Sequence, residues 1–183
     1  MSTLPTRAEI EAAAPLINAI VPPTPQYSWP LLNARTGCEL WVKHENHTAL
    51  GSFKMRGLLV YLARLAERSP EVRGVIAATR GNHGQAVAFA ARRHGLTATI
   101  VVPRGNSVEK NRAMRALGAE LIEHGDDFQA ALEHSRTLAA TRGLHPVPSF
   151  HADLVLGNAV SALAFLQHAP ALDRVYVPIG LGS

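Results

Sequence analysis

The sequence predicts an α/β fold, with parallel strands and helices on both faces of the sheet. From about residue 52 onward, short apolar runs alternate with longer amphipathic stretches, and glycine or proline marks most changeovers. Helical stretches of roughly 10–15 residues between short apolar strands are the pattern of repeated βαβ units. At 183 residues, 47% hydrophobic and 17% charged, the chain has enough apolar material for a real core, which excludes a disordered protein.

Taken in order, residues 6–21 read as an amphipathic helix, ended by Pro22-Pro23-Thr24-Pro25, which begins an extended stretch. Glu39 to Lys43 is a strand, and the polar run His44 to Gly51 a loop. Ser52 is the expected N-cap of a helix to about Arg68, with Phe53, Leu58, Leu59, Leu62 and Leu65 on its apolar side. Gly74 to Ala78 is a buried strand. Asn82 to His94 is a helix ended by Gly95, and Thr97 to Val102 a strand ended by Pro103. Val108 to Leu117 is a helix closed by Gly118, followed by a strand from Ala119 to Glu123. A helix from Asp127 to Thr141, a short strand from Leu144 to Val147 and a helix from Gly157 to His168 come next. Arg174 to Pro178 is a last strand, entering Gly180-Leu181-Gly182-Ser183. An α/β fold would continue into a helix there, so the sequence reads as broken off at that turn.

Charge excludes less than it first suggests. The net charge is +4 and the isoelectric point about 9.7, yet the arginines are scattered among Asp and Glu. The densest basic stretch, Arg104 to Arg115, has no aromatic residue on which a base would stack, so it reads as a solvated face and no nucleic-acid partner is expected. Of the 18 basic residues only Lys43, Lys54 and Lys110 are lysines, which narrows any search for a catalytic amine. No apolar run approaches the roughly 18 residues of a membrane span, and the N-terminus lacks the plan of a signal peptide. No membrane association is expected. The single cysteine, Cys38, excludes an intramolecular disulfide and fits a reducing cytoplasm. Following a turn, it reads as a small buried side chain.

Three clusters fall at strand-to-helix junctions, where open α/β sheets place ligands. The first is Gly51-Ser52-Phe53-Lys54. Lys54 lies in a first helical turn, where the partial positive charge disfavours an ammonium by about 0.3–1 kcal/mol. That alone lowers its pKa by less than about one unit, so burial must supply the rest of any activation. A lysine kept neutral in this way attacks carbonyl groups; an ordinary exposed lysine is the alternative. Lys43 lies within a strand, and Lys110 near a helix start remote from this cluster. The second cluster, Thr79-Arg80-Gly81-Asn82-His83-Gly84-Gln85, offers backbone N–H groups and the Asn82 amide to an anion. A plain βα turn with Asn82 as N-cap is the alternative. The third, Gly180 to Ser183, would cradle a phosphate but is neither a Walker loop nor a dinucleotide fingerprint. His44-Glu45-Asn46-His47 lacks metal-ligand spacing and reads as a polar loop, so no metal is expected.

Together the clusters resemble a known family. Lys43-His44-Glu45-Asn46, seven residues, then Lys54-Met55-Arg56-Gly57 resembles the lysine motif of the threonine/serine dehydratases, which are fold-type II pyridoxal-phosphate enzymes. Thr79 to Gln85 resembles their S-x-G-N-H-x-Q loop, and Val177 to Ser183 their V-P-x-G-G-G-G phosphate loop. Pro103 to Lys110 and Gly118-Ala119-Glu120 also sit at family spacing, so the resemblance spans nearly the whole chain. It implies pyridoxal 5'-phosphate as cofactor, joined to Lys54, which then serves as base at the substrate Cα. It places Phe53 beside the cofactor and Asn82 on its phenolic oxygen. Backbone groups of Thr79, Arg80, Gly81, Asn82 and His83 would hold the substrate carboxylate, and Gly180, Leu181, Gly182 and Ser183 the phosphate. The implied reaction is β-elimination from a hydroxy amino acid such as threonine or serine, giving a 2-oxo acid and ammonia.

The resemblance also implies a division of the chain. Residues 53–149 would form a small α/β domain, and residues 1–52 and 150–183 part of a larger cofactor domain truncated in this chain. A cytoplasmic homo-oligomer is expected of the full-length enzyme, and residues 1–183 alone are expected to be catalytically silent. Arg80 stands where relatives have Ser or Ala, Gly157-Asn158-Ala159-Val160 replaces G-Q-G-T, and Leu181 and Ser183 replace glycines. A guanidinium at position 80 would favour a substrate with an extra anionic group and removes the hydroxyl a racemase would use as second base; Arg80 facing solvent or a structural carboxylate is the alternative. Two other readings stand beside the lyase. One is β-replacement in the cysteine-synthase manner, disfavoured by Phe53 and Met55-Arg56-Gly57. The other is a non-catalytic binding domain.

Overall fold

A computed structural model describes residues 4–179. Helix α1 (Arg7–Asn18) begins at Thr6, whose hydroxyl accepts the Glu9 N–H while the Glu9 carboxylate accepts the Thr6 N–H, a reciprocal cap. The chain then forms an antiparallel ribbon of β1 (Gln26–Ser28) and β2 (Trp41–Lys43), joined through α2 (Pro30–Thr36). This ribbon lies outside the parallel sheet and is antiparallel, and α2 falls where no helix is expected. Seven residues are too few to show a helical period. Its signals are local: Pro30 at the first position and Gly37 at φ 68° as the stop.

Helix α3 (Lys54–Arg68) follows a short 3-10 turn at Glu45–His47. Ser52 Oγ accepts the Lys54 N–H at 3.2 Å, but the cap position is Phe53, so the expected N-cap is displaced by one residue. Strands β3 (Gly74–Ala78) and β4 (Thr97–Val102) coincide with the apolar runs that predict them. With β5 (Glu120–Glu123) and β6 (His145–Pro146) they make one parallel sheet in the order β5-β4-β3-β6. Alternation along the strands divides the core. Val75, Ala77, Ile100 and Val102 pack with α3 and α4 (Asn82–Arg93), whereas Ile76 and Val101 pack with Ala131 of α6 (Phe128–Arg142). Helices therefore cover both faces, as the sequence predicts. Helix α5 (Val108–Ala116) lies against α4 and β5.

Helix α7 (Ala152–His168) packs on α1 and α3 and starts earlier than the expected Gly157. The cause is tertiary. The His151 ring accepts the Asp153 N–H, and the buried Asp153 carboxylate accepts bonds from Arg64 and Arg68 of α3. At the crossing, glycine meets glycine: a Cβ at Gly157 would lie 2.7 Å from Gly57 Cα and collide with the Arg56 carbonyl. Gly157→Ala should therefore cost about 1–3 kcal/mol of stability, measured as a lowered denaturant midpoint at unchanged slope; a loss below about 0.5 kcal/mol would show that the helices part easily.

The apolar run Arg174 to Pro178 forms no strand among the described residues, and Val175, Tyr176, Val177 and Ile179 are exposed. Apolar sequence gives strand propensity, but a ladder also needs a neighbour for its N–H and C=O groups. Gly180 to Ser183, the expected phosphate loop, lie outside the described residues. Cys38 is exposed rather than buried, because the turn after Gly37 runs over the surface. No helix among the described residues is long and apolar enough to cross a membrane.

Candidate functional site

Lys54 opens α3 and is half-buried. Burial lowers its pKa, supplying the desolvation that the helix dipole alone could not. Its ammonium lies 4.9 Å from the centre of the Phe53 ring, an apolar wall on one side. His83, in the first turn of α4, is held at a pKa of about 4 by burial first and then by the positive charge of Lys54, so its ring is neutral at neutral pH. His83 Nε2 is buried and meets no hydrogen-bond partner among the described residues. A buried, unsatisfied ring nitrogen beside a desolvated lysine is what a polar ligand would complete.

The second cluster lies at the carboxyl end of β3. Thr79 is buried, its N–H bonds the Val101 carbonyl, and its hydroxyl accepts the Gly81 N–H at 3.0 Å. Gly81 is the cap position of α4, and Asn82 is the first helical residue, partly buried, rather than the N-cap. The first N–H groups of α4 thus lie at the carboxyl end of β3, without intrahelical partners. Gly84 keeps this turn close, since a Cβ there would lie 2.6 Å from both Thr79 Cγ2 and Met114 Sδ. Arg80 is exposed and forms no ion pair among the described residues. The structure brings Lys54, Phe53 and His83 together.

Four residues belong to this region that residue-by-residue reading did not assign. Arg56, almost fully buried, donates to both Glu45 carboxylate oxygens at 2.8 and 3.2 Å and to the Val21 and Pro22 carbonyls. Glu45 also accepts the Thr24 hydroxyl at 2.7 Å. Asn158 of α7 accepts the Gly57 N–H at 3.0 Å. Together they fix the first turn of α3, and therefore Lys54. Lys-His-Glu-Asn and Lys-Met-Arg-Gly carry the signal for Glu45 and Arg56, since the acid of one motif pairs with the base of the other. The fourth is Lys110. It is remote in sequence, yet its side chain lies over Gly81: a Cβ there would meet Lys110 Cδ at 2.7 Å and Nζ at 2.9 Å. Lys43 is held apart, its ammonium donating to the Thr24 carbonyl at 2.8 Å.

Comparison with known proteins places this geometry. Residues 17–183 match the family described as pyridoxal-phosphate dependent enzyme. The chain is 37% identical to a biosynthetic L-threonine dehydratase of Salmonella typhimurium over 161 residues, 87% of this chain and 31% of that protein. It is 33% identical to an L-threo-3-hydroxyaspartate ammonia-lyase of Saccharomyces cerevisiae over 181 residues, 98% of this chain and 55% of that one. A crystal structure of a pyridoxal 5'-phosphate-dependent aspartate racemase superposes with a TM-score of 0.86 at 33% identity, covering 92% of this chain and 53% of that one. The chain thus spans between about a third and about half of these relatives' lengths. With motifs, sheet and sequence in agreement, the chain belongs to the family of pyridoxal-phosphate-dependent enzymes.

Proposed function

We propose that this chain carries the reactive lysine and the carboxylate-binding turn of a lyase that deaminates a 2-amino-3-hydroxy acid such as threonine or serine. The observation that carries the reading is the half-buried, desolvated Lys54 beside the unsatisfied His83 Nε2, at the carboxyl edge of the sheet. The similarity to a threonine dehydratase and a 3-hydroxyaspartate ammonia-lyase points the same way. Bound pyridoxal 5'-phosphate would supply the electron sink; the protein supplies attachment, orientation and proton transfer. In this reading Lys54 Nζ holds the cofactor, with the Phe53 ring beside it and the Asn82 amide on its phenolic oxygen. Backbone N–H groups from Thr79 to His83 hold the substrate carboxylate, and Gly180 to Ser183 hold the phosphate.

Once its amine is free of the cofactor, Lys54 would take the proton from Cα and return it to the departing β-hydroxyl, which would leave as water. The released enamine tautomerises and is hydrolysed to a 2-oxo acid and ammonia. The neutral His83 ring withholds a second positive charge beside the amine that must accept this proton. Residues 53–149 act as a small domain that carries the turn, and residues 1–52 and 150–183 belong to a larger one. The working enzyme is a cytoplasmic homo-oligomer, a placement that an exposed free thiol at Cys38 suits.

The test is product analysis of the full-length enzyme with the cofactor and L-threonine or L-serine. Equal amounts of 2-oxo acid and ammonia are expected. Turnover only when a thiol or sulfide nucleophile is added, with no 2-oxo acid, would sink the elimination reading in favour of β-replacement.

A further inference from the structure

The carboxylate-binding turn carries more positive charge than one carboxylate needs. Lys110 projects from the first turn of α5, where the helix dipole disfavours an ammonium. It lies across Gly81, and no ion pair or side-chain hydrogen bond engages its ammonium among the described residues. It fits there because position 81 has no Cβ; any side chain would displace the lysine's far end. Arg80, the preceding residue, is likewise an exposed guanidinium without an ion pair among the described residues. Among the described residues Arg104 pairs with Asp126, Arg115 with Glu123 and Arg142 with Glu120, whereas Lys110, like the more distant Arg112 and Arg136, has no such partner. The backbone N–H groups of the turn already suit one carboxylate. Two further cations, one of them fitted over the turn itself, answer to a second negative group on the same ligand.

Resting on the lyase reading above, we propose that Lys110 and Arg80 form a second anion subsite, and that the preferred substrate is a 2-amino-3-hydroxy acid with a side-chain carboxylate. Lys110 would take the distal carboxylate across Gly81, while the turn N–H groups keep the α-carboxylate. This role does not require proton transfer by Lys110.

Two measurements on the native protein test it. The first is the ratio of kcat/KM for 3-hydroxyaspartate to that for serine, the same molecule without the second carboxylate. Lys110→Met, which keeps length but not charge, should lower this ratio about tenfold or more, the scale of one charge-assisted contact. Lys110→Arg should restore much of it, and rising salt should narrow the wild-type ratio. Gly81→Ala, which removes no charge but displaces the ammonium, should lower it in the same direction. The second is calorimetric binding of malate against lactate, neither of which carries an amine to react. Malate should bind at least about tenfold more tightly, an advantage lost in Lys110→Met. Equal loss for serine and 3-hydroxyaspartate would assign Lys110 to the α-carboxylate and overturn the subsite, as would an unchanged ratio. Preserved malate binding without turnover of any amino acid would instead uphold the subsite and refute the lyase reading.

Discussion

Replacing Lys54 by alanine is expected to abolish ammonia release, with kcat lower by at least about 10²–10⁴-fold, the range for loss of a positioned general base. The true loss should be larger, because the same amine also attaches the cofactor. Three features make Lys54 the candidate among the three lysines. It opens a helix at a strand-loop-helix junction, burial lowers its pKa, and its charge is felt by the buried ring of His83. Burial lowers the Lys43 pKa as well, so pKa alone does not choose. Geometry does: Lys43 is committed to the Thr24 carbonyl, and Lys110 is exposed over Gly81. Borohydride reduction of the cofactor-loaded native protein should therefore leave the pyridoxyl label on the peptide containing Lys54. A label on Lys43 or Lys110, or an alanine variant within about threefold of wild type, would refute the assignment. A small primary amine added to Lys54→Ala should recover part of the rate, which a variant that merely failed to fold would not show.

The second large effect belongs to the buried ion pair. Glu45→Ala leaves the Arg56 guanidinium buried with only the Val21 and Pro22 carbonyls as acceptors. Breaking one partner of a buried pair costs about 3–5 kcal/mol, a large fraction of a typical domain's stability. Arg56→Lys should also be costly, because an ammonium cannot reproduce the fork that meets both Glu45 oxygens and two carbonyls. The double variant Glu45→Ala/Arg56→Met removes both charges and should recover part of the loss. Chemical denaturation of the native protein and the three variants measures this. Losses below about 1 kcal/mol in both single variants would mean that water reaches the pair and that it does not hold the start of α3. Where Glu45→Ala remains folded, cofactor affinity should fall with stability, since the same bonds place the first turn that presents Lys54.

Much of this was legible in residue order. β3 and β4 are short apolar runs bounded by turn residues, and their alternation alone assigns Val75 and Ile76 to opposite faces. Stop signals such as Gly95 and Gly118 act locally, and both adopt positive φ, at 67° and 90°. The lysine and turn clusters are legible for a similar reason. Each is a contiguous stretch whose chemistry depends on its own backbone, a helix start after a sheet edge. The antiparallel ribbon and the seven-residue α2 were not, because neither is long enough for a period to emerge. The strand expected at Arg174 to Pro178 shows the reverse error, an apolar period without a paired neighbour among the described residues.

By itself, then, the sequence determined the alternating α/β order and narrowed the choice of lysines, and it offered three candidate clusters, since these follow from near-neighbour backbone and side-chain preferences. Tertiary structure alone decided that α7 begins at Ala152, where Asp153 meets two arginines of α3. It alone decided that Arg56 clamps the start of α3 to Glu45 and two distant carbonyls. It also brought Lys110 across Gly81, 29 positions earlier in the chain. Each of these is a charge satisfied or placed by a group far away in sequence. The energy of such a contact depends on burial and distance, which no local pattern of residues encodes.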